Sequence, residues 1–266
     1  VTVTHPTPPW PARCGPLLLL GACASPGWAP GREHTPEELL SGQVRSVVFE
    51  VDAIGEAALP PAAFFTDPQF GHTWPYGREL IRWIVGPDAE IRFPESVDDI
   101  EVVSVPGDDG RLLSARMMQD TLDRHRDTVS THHEATFYVL LSDRPFDGYV
   151  GDATTIGLAN RPQHHMTFIM RDEEGEPKVP ALSDAHLGWG VAHELAHMMG
   201  LVNRGTPMVE PHGSASDPAH GTEPGGCILN DVETMPVWGF GPGTTEPSHE
   251  VLGPLCRQDI NALRPE

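Results

Sequence analysis

The first regular pattern along the chain is a run of β-branched and apolar residues from Val44 to Val51, which predicts a strand. Within Gly77 to Val85, Leu80, Ile81 and Ile84 recur at helical spacing and predict a short helix. A second strand is expected over Ile100–Val105, closed by the turn cluster Pro106 to Gly110. Leu112, Leu113, Met117, Leu122, His125 and Val129 then recur at threes and fours inside a polar stretch, the pattern of an amphipathic helix. Thr136–Leu141 is apolar throughout and reads as a fully buried strand, with Met166–Met170 as another. Strands alternating with helices, without an internal repeat, predict an α/β or α+β sandwich over residues 45–266. Beyond residue 200 the chain is rich in Gly and Pro and nearly free of periodicity, so an irregular C-terminal region is expected. Such a region inside a compact domain needs an organiser, such as a metal or a disulfide.

The segment Asp184 to Leu201 predicts the helix that carries chemistry. Ser183 or Asp184 can cap its start, Leu187, Val191, Leu195 and Met198 form its apolar stripe, and Gly200 can end it in a left-handed turn. Within it stands His193-Glu194-Leu195-Ala196-His197. Residues four apart on a helix differ by about 40° in azimuth and about 6 Å in height, so both imidazoles point the same way. Two convergent imidazoles are what a tetrahedral Zn²⁺ takes from one element, and Glu194 stands beside such an ion without ligating it. By chance, H-E-x-x-H arises in roughly one chain in twenty of this length and composition, and Gly200 three residues beyond lowers that to roughly one in two hundred. The competing reading is a pair of solvated helix histidines, against which the placement off the apolar stripe argues. His186, earlier on the helix, reads as a surface residue.

Charge changes the picture by exclusion. The 266 residues carry 38 acidic against 17 basic side chains, a formal net charge of −21, which removes a duplex nucleic-acid role because phosphate recognition needs a cationic face. No run of about 18 or more apolar residues exists, so no helical membrane span is expected. Residues 13–23 combine one arginine, a short apolar run and Leu20-Gly21-Ala22-Cys23, which resembles the lipobox of bacterial lipoproteins. The expected organisation is a signal peptide with lipobox over 1–23, a flexible tether over 24–44 and a folded body over 45–266, in an exported, lipid-anchored or secreted protein. Membrane contact would then come only through Cys23. Cys227 and Cys256 remain in the body, where an oxidising exported environment would let them pair.

A catalytic zinc takes three protein ligands and leaves one position for water. His193 and His197 supply two. Downstream, His212, His220 and Glu223 are candidates for the third. At this point the residues His193-Glu-x-x-His197-x-x-Gly200-x-x-Asn203, followed by Cys227-Ile228-Leu229, resemble the metzincin clan of zinc metallopeptidases. The likeness is closer to a bacterial lipoprotein branch related to archaemetzincins and matrixins, through Gly200-Leu201-Val202-Asn203-Arg204-Gly205-Thr206-Pro207-Met208. It is specific over about residues 187–231 and loose over 45–266. The resemblance implies an α+β, metzincin-like fold: a twisted mixed sheet, a zinc-binding active-site helix and an irregular C-terminal subdomain. It further implies a zinc endopeptidase acting on peptides or proteins through a zinc-bound water, with Glu194 as general base. A strand near Ala159–Met170 would be the edge on which an extended peptide pairs.

Two positions depart from the family pattern. Asn203 stands where the clan has His or Asp, which moves the third ligand to the following insertion, with His220 preferred and His212 as the alternative. Leu229 stands where the clan's turn has Met, so either Leu229 or Met235 forms the apolar floor under the metal. These departures keep two rivals open: a gluzincin-type peptidase with Glu223 as third ligand, and a zinc-binding surface lipoprotein without proteolytic activity.

Overall fold

In the computed structural model, residues 32–60, 65, 81–82, 84–105, 112–147, 157–160, 164–170, 193–202, 206–215, 221, 227, 229 and 252–264 are described. They build a six-stranded mixed sheet. Its strands are β1 (Ser46–Ile54), β2 (Glu90–Arg92), β3 (Glu101–Val103), β4 (Glu134–Ser142), β5 (Gly157–Asn160) and β6 (His165–Ile169). The order is β2-β1-β4-β6-β5. β3 continues the β2 edge, because β2 pairs with Ser46 to Val48 and β3 with Asp52 to Ile54. All pairs are parallel except β5 with β6, so β5 is an antiparallel edge strand.

A parallel sheet needs cover on both faces, and the central strands are apolar on both. Side chains alternate across a strand, so Phe137, Val139 and Leu141 of β4 enter one core while Tyr138 and Leu140 enter the other. On the first face, Phe49 of β1 stacks between Phe93 and Phe137, with centroids 4.1 and 5.3 Å away. That core also takes in α1 (Pro36–Leu40), the helical residues 81–82 and 84–85, α3 (residues 193–198) and α4 (Pro254–Leu263). The second face is covered by α2 (Ala115–His125), through Leu122 with Met117 and Met118 at the margin. Ser114 caps α2 by accepting from the Met117 N–H.

The strands expected near 44–51, 100–105, 136–141 and 166–170 are present, with ends shifted by a few residues, and the amphipathic helix is α2. Two expectations are corrected. The tether assigned to 24–44 is folded from residue 32: Thr35 and Glu38 form a capping box on α1, and Leu39 and Leu40 are fully buried. The C-terminal region is not irregular throughout, since α4 starts with Pro254 at a helical first position and buries Cys256, Asp259 and Ile260. β2 was not anticipated. The leader and lipobox over 1–23, the turn at 106–110 and the start of the 184–201 helix lie outside the described residues. Among the described residues no helix is long and apolar enough to cross a membrane.

Candidate metal centre

The helix α3 holds His193 and His197 because its apolar side is pinned to the first core. Leu195, Ala196, Met198 and Met199 are all fully buried there. Its end is fixed by a Schellman motif: the Leu201 N–H donates to the Ala196 carbonyl (3.1 Å) and the Gly200 N–H to the His197 carbonyl (2.9 Å). Gly200 supplies the left-handed residue at φ +80°. Thr206 closes the cap, its N–H donating to the Gly200 carbonyl at 2.9 Å and its hydroxyl to the Met199 carbonyl at 2.6 Å. The expected left-handed ending at Gly200 is therefore present.

Within this frame the two Nε2 atoms of His193 and His197 face each other at 3.1 Å, with ring centroids 4.6 Å apart and planes at 89°. The rings are 7% and 9% exposed, and Glu194 between them is 9% exposed. Two imidazole nitrogens bound to one tetrahedral zinc, each at about 2.0–2.1 Å, stand about 3.3 Å from each other. The donor pair therefore has the spacing, the burial and the chemistry to hold such an ion. Solvated helix histidines, the competing reading, would stand exposed, and these do not.

The remaining expected residues divide. Asn203, His220, Glu223, His186 and Met235 lie outside the described residues. Among the described residues, no three His, Cys, Asp or Glu side chains are grouped to hold a metal ion. His212 is described, and its ring is engaged elsewhere. Its Nδ1 donates to the Glu210 carbonyl (2.8 Å), while Nε2 faces Cys256 Sγ at 3.6 Å and Asp259 Oδ2 at 3.7 Å. Nε2, the nitrogen left for a metal, is thus turned toward Cys256 and Asp259. His212 is also buried, at 5% exposure. Leu229 is fully buried in the first core.

Two further buried polar groups escaped sequence reasoning. On the second sheet face, the Tyr138 hydroxyl donates to Asp52 Oδ2 at 2.6 Å. Burial, aided by the charges of Glu50, Glu101 and Asp127 and opposed by the Tyr138 hydrogen bond, pushes the Asp52 carboxyl up to about 7. Ahead of α1, Glu33 meets Arg126 at 2.6 Å and His164 at 3.2 Å and accepts from the Ser130 hydroxyl at 2.5 Å. Burial alone would raise the Glu33 carboxyl, but its hydrogen bonds to His164 and Ser130 and the Arg126 charge outweigh that and hold it low. His164 completes the clip by donating to the His34 carbonyl at 3.1 Å while stacked on Phe137. Neighbouring His165 is pushed down to about 4, mainly by burial, so it is neutral near pH 7.

Compared with known proteins, the chain matches no family model, and no curated protein aligns with it significantly.

Proposed function

We propose that the chain is a zinc-dependent endopeptidase with a metzincin-like fold. The observation that carries this reading is the buried pair of facing Nε2 atoms, 3.1 Å apart, on a helix that also carries the buried Glu194. His193 and His197 would hold the zinc, and His220 is the proposed third ligand. When bound, the ion would supply Lewis-acid polarisation of the scissile carbonyl and would acidify the attacking water. Glu194 follows His193 directly in sequence, which places its carboxylate beside the metal position without making it a ligand. There it takes a proton from the attacking water and hands it to the departing amine. The mixed sheet supports the reading, because among the described residues its antiparallel strand β5 stands at the edge, the position on which an extended peptide can pair. Export, with lipidation at Cys23, belongs to the same proposal.

The test is zinc content and peptide-library cleavage by wild type and Glu194→Ala, each with and without chelator. The expected outcome is about one zinc per chain in both proteins. Turnover should be chelator-sensitive in wild type and at least 10²-fold lower in the variant. Zinc binding without Glu194-dependent cleavage would instead establish the non-proteolytic zinc-binding lipoprotein.

A further inference from the structure

We propose that Cys227 and Cys256 are a modification site: the pair is oxidised to a disulfide that ties the chain at Cys227 to the C-terminal helix α4. The two sulfurs stand 3.2 Å apart and each residue is 1% exposed. They come from different parts of the chain, 29 residues from each other. Cys227 lies two residues before Leu229, whose carbonyl accepts from the Gly221 N–H at 2.6 Å. Cys256 sits in the first turn of α4. That helix is anchored independently, since Asp259 Oδ1 accepts from the Val209 N–H at 2.7 Å and Arg264 donates to the Ile84 carbonyl at 2.8 Å. Two thiols thus face each other in a packed core, about 1 Å beyond the disulfide bond length of about 2.05 Å.

A thiolate metal site is the competing use of the same atoms. His212 approaches Cys256 through Nε2 at 3.6 Å, a longer separation than the 3.2 Å between the two sulfurs. No three of these groups gather round one point, whereas the two sulfurs already touch. The geometry favours the bond between them.

The balanced step needs an external disulfide as oxidant. The Cys256 thiol gives up its proton, and the thiolate attacks one sulfur of the external disulfide, releasing one thiolate. Cys227, likewise deprotonated, then attacks Cys256 Sγ in the mixed disulfide and releases the second. Two cysteine thiols become one disulfide, and the external disulfide becomes two thiols after taking up the two protons. Because both sulfurs are buried, exchange occurs before α4 docks, and the finished bond is shielded from reductant afterwards. The bond would close a long loop and restrict the unfolded chain, the condition under which a disulfide stabilises most. Cys227 and Cys256 belong to the same hydrophobic core as Leu195 and Met198 of α3. This inference stands on the sulfur geometry and does not require the peptidase reading.

The full chain is refolded with oxidised and reduced glutathione, alkylated with iodoacetamide in denaturant, and digested without reduction. A peptide linking Cys227 to Cys256 is expected in most molecules. Reductant added to the unfolding experiment should lower the thermal midpoint by on the order of 5–10 °C. The Cys227→Ala/Cys256→Ala double variant should unfold at the lower temperature with or without reductant. Alkylation of both cysteines, linkage of either to Cys14 or Cys23, or a wild-type midpoint indifferent to reductant overturns the proposal. Thiols that become alkylatable only after zinc chelation overturn it in favour of a metal site.

Discussion

Asp52 is a carboxyl placed where water cannot reach it, with one hydroxyl donor and three acidic neighbours. In the unfolded chain it ionises near the ordinary value of 3.8, and in the folded protein it holds its proton to about 7. Between those values the native state binds more protons than the unfolded one. Its contribution to stability is therefore fully present below about pH 4 and is lost progressively as pH rises to about 7. Asp52→Asn removes the titration and keeps an oxygen to accept from Tyr138. The variant should equal or slightly trail wild type at pH 5 and exceed it at pH 8, by about 2 kcal/mol once solvent relaxation is allowed for. Urea midpoints at the two pH values measure this. An identical difference between the two proteins at both pH values would show that the carboxyl ionises freely in the fold.

At the scale of elements, the end of α3 depends on one residue without a side chain. A Cβ on Gly200 would lie 2.9 Å from both the backbone nitrogen and the hydroxyl of Thr206, at φ +80°. Gly42 offers the internal comparison, since it has φ +74° and nothing within 4 Å of a Cβ. Gly42→Ala should cost about 1 kcal/mol from conformation alone. Gly200→Ala should cost about 2–3 kcal/mol, because the Thr206 hydrogen bonds must also shift. Equal losses in the two denaturation curves would mean that the cap yields freely. The Gly200 turn was legible in the sequence for the same reason that β1, β4, β6 and α2 were: each follows from a local rule of spacing or backbone conformation. α1 and α4 were obscured because they are short and set among prolines and glycines, although Thr35 with Glu38 and Gly253-Pro254 mark their starts. The three-residue strand β2 is too brief for period two to register and was missed outright, whereas the equally short β3 was legible through the apolar run Ile100–Val105 around it. The Asp52–Tyr138 and Glu33–His164 pairs join residues 86 and 131 positions from each other, and only the register of the sheet brings them together. The i,i+4 histidines needed no such knowledge, whereas a third ligand would, because His212, His220 and Glu223 stand at no helical spacing from them.

For the whole molecule, metal and stability become one quantity if the zinc reading is correct. A ligand that binds the native chain and not the unfolded one adds RT ln(1 + [L]/Kd), about 2.7 kcal/mol when free zinc is a hundredfold above Kd. For a domain of this size that corresponds to a rise in thermal midpoint of roughly 5–10 °C over the chelator-treated protein. The response should follow the ligand chemistry. Glu194→Ala leaves both imidazoles in place and should keep the full zinc-dependent rise while losing turnover. His197→Ala removes one of the two facing nitrogens and should lose most of the rise, although its midpoint in chelator stays near that of wild type. Separating the two variants in this way distinguishes a residue that holds the ion from one that moves a proton beside it. A zinc-dependent rise in His197→Ala as large as in wild type would place the ion elsewhere in the chain and remove the physical basis of the proposed site.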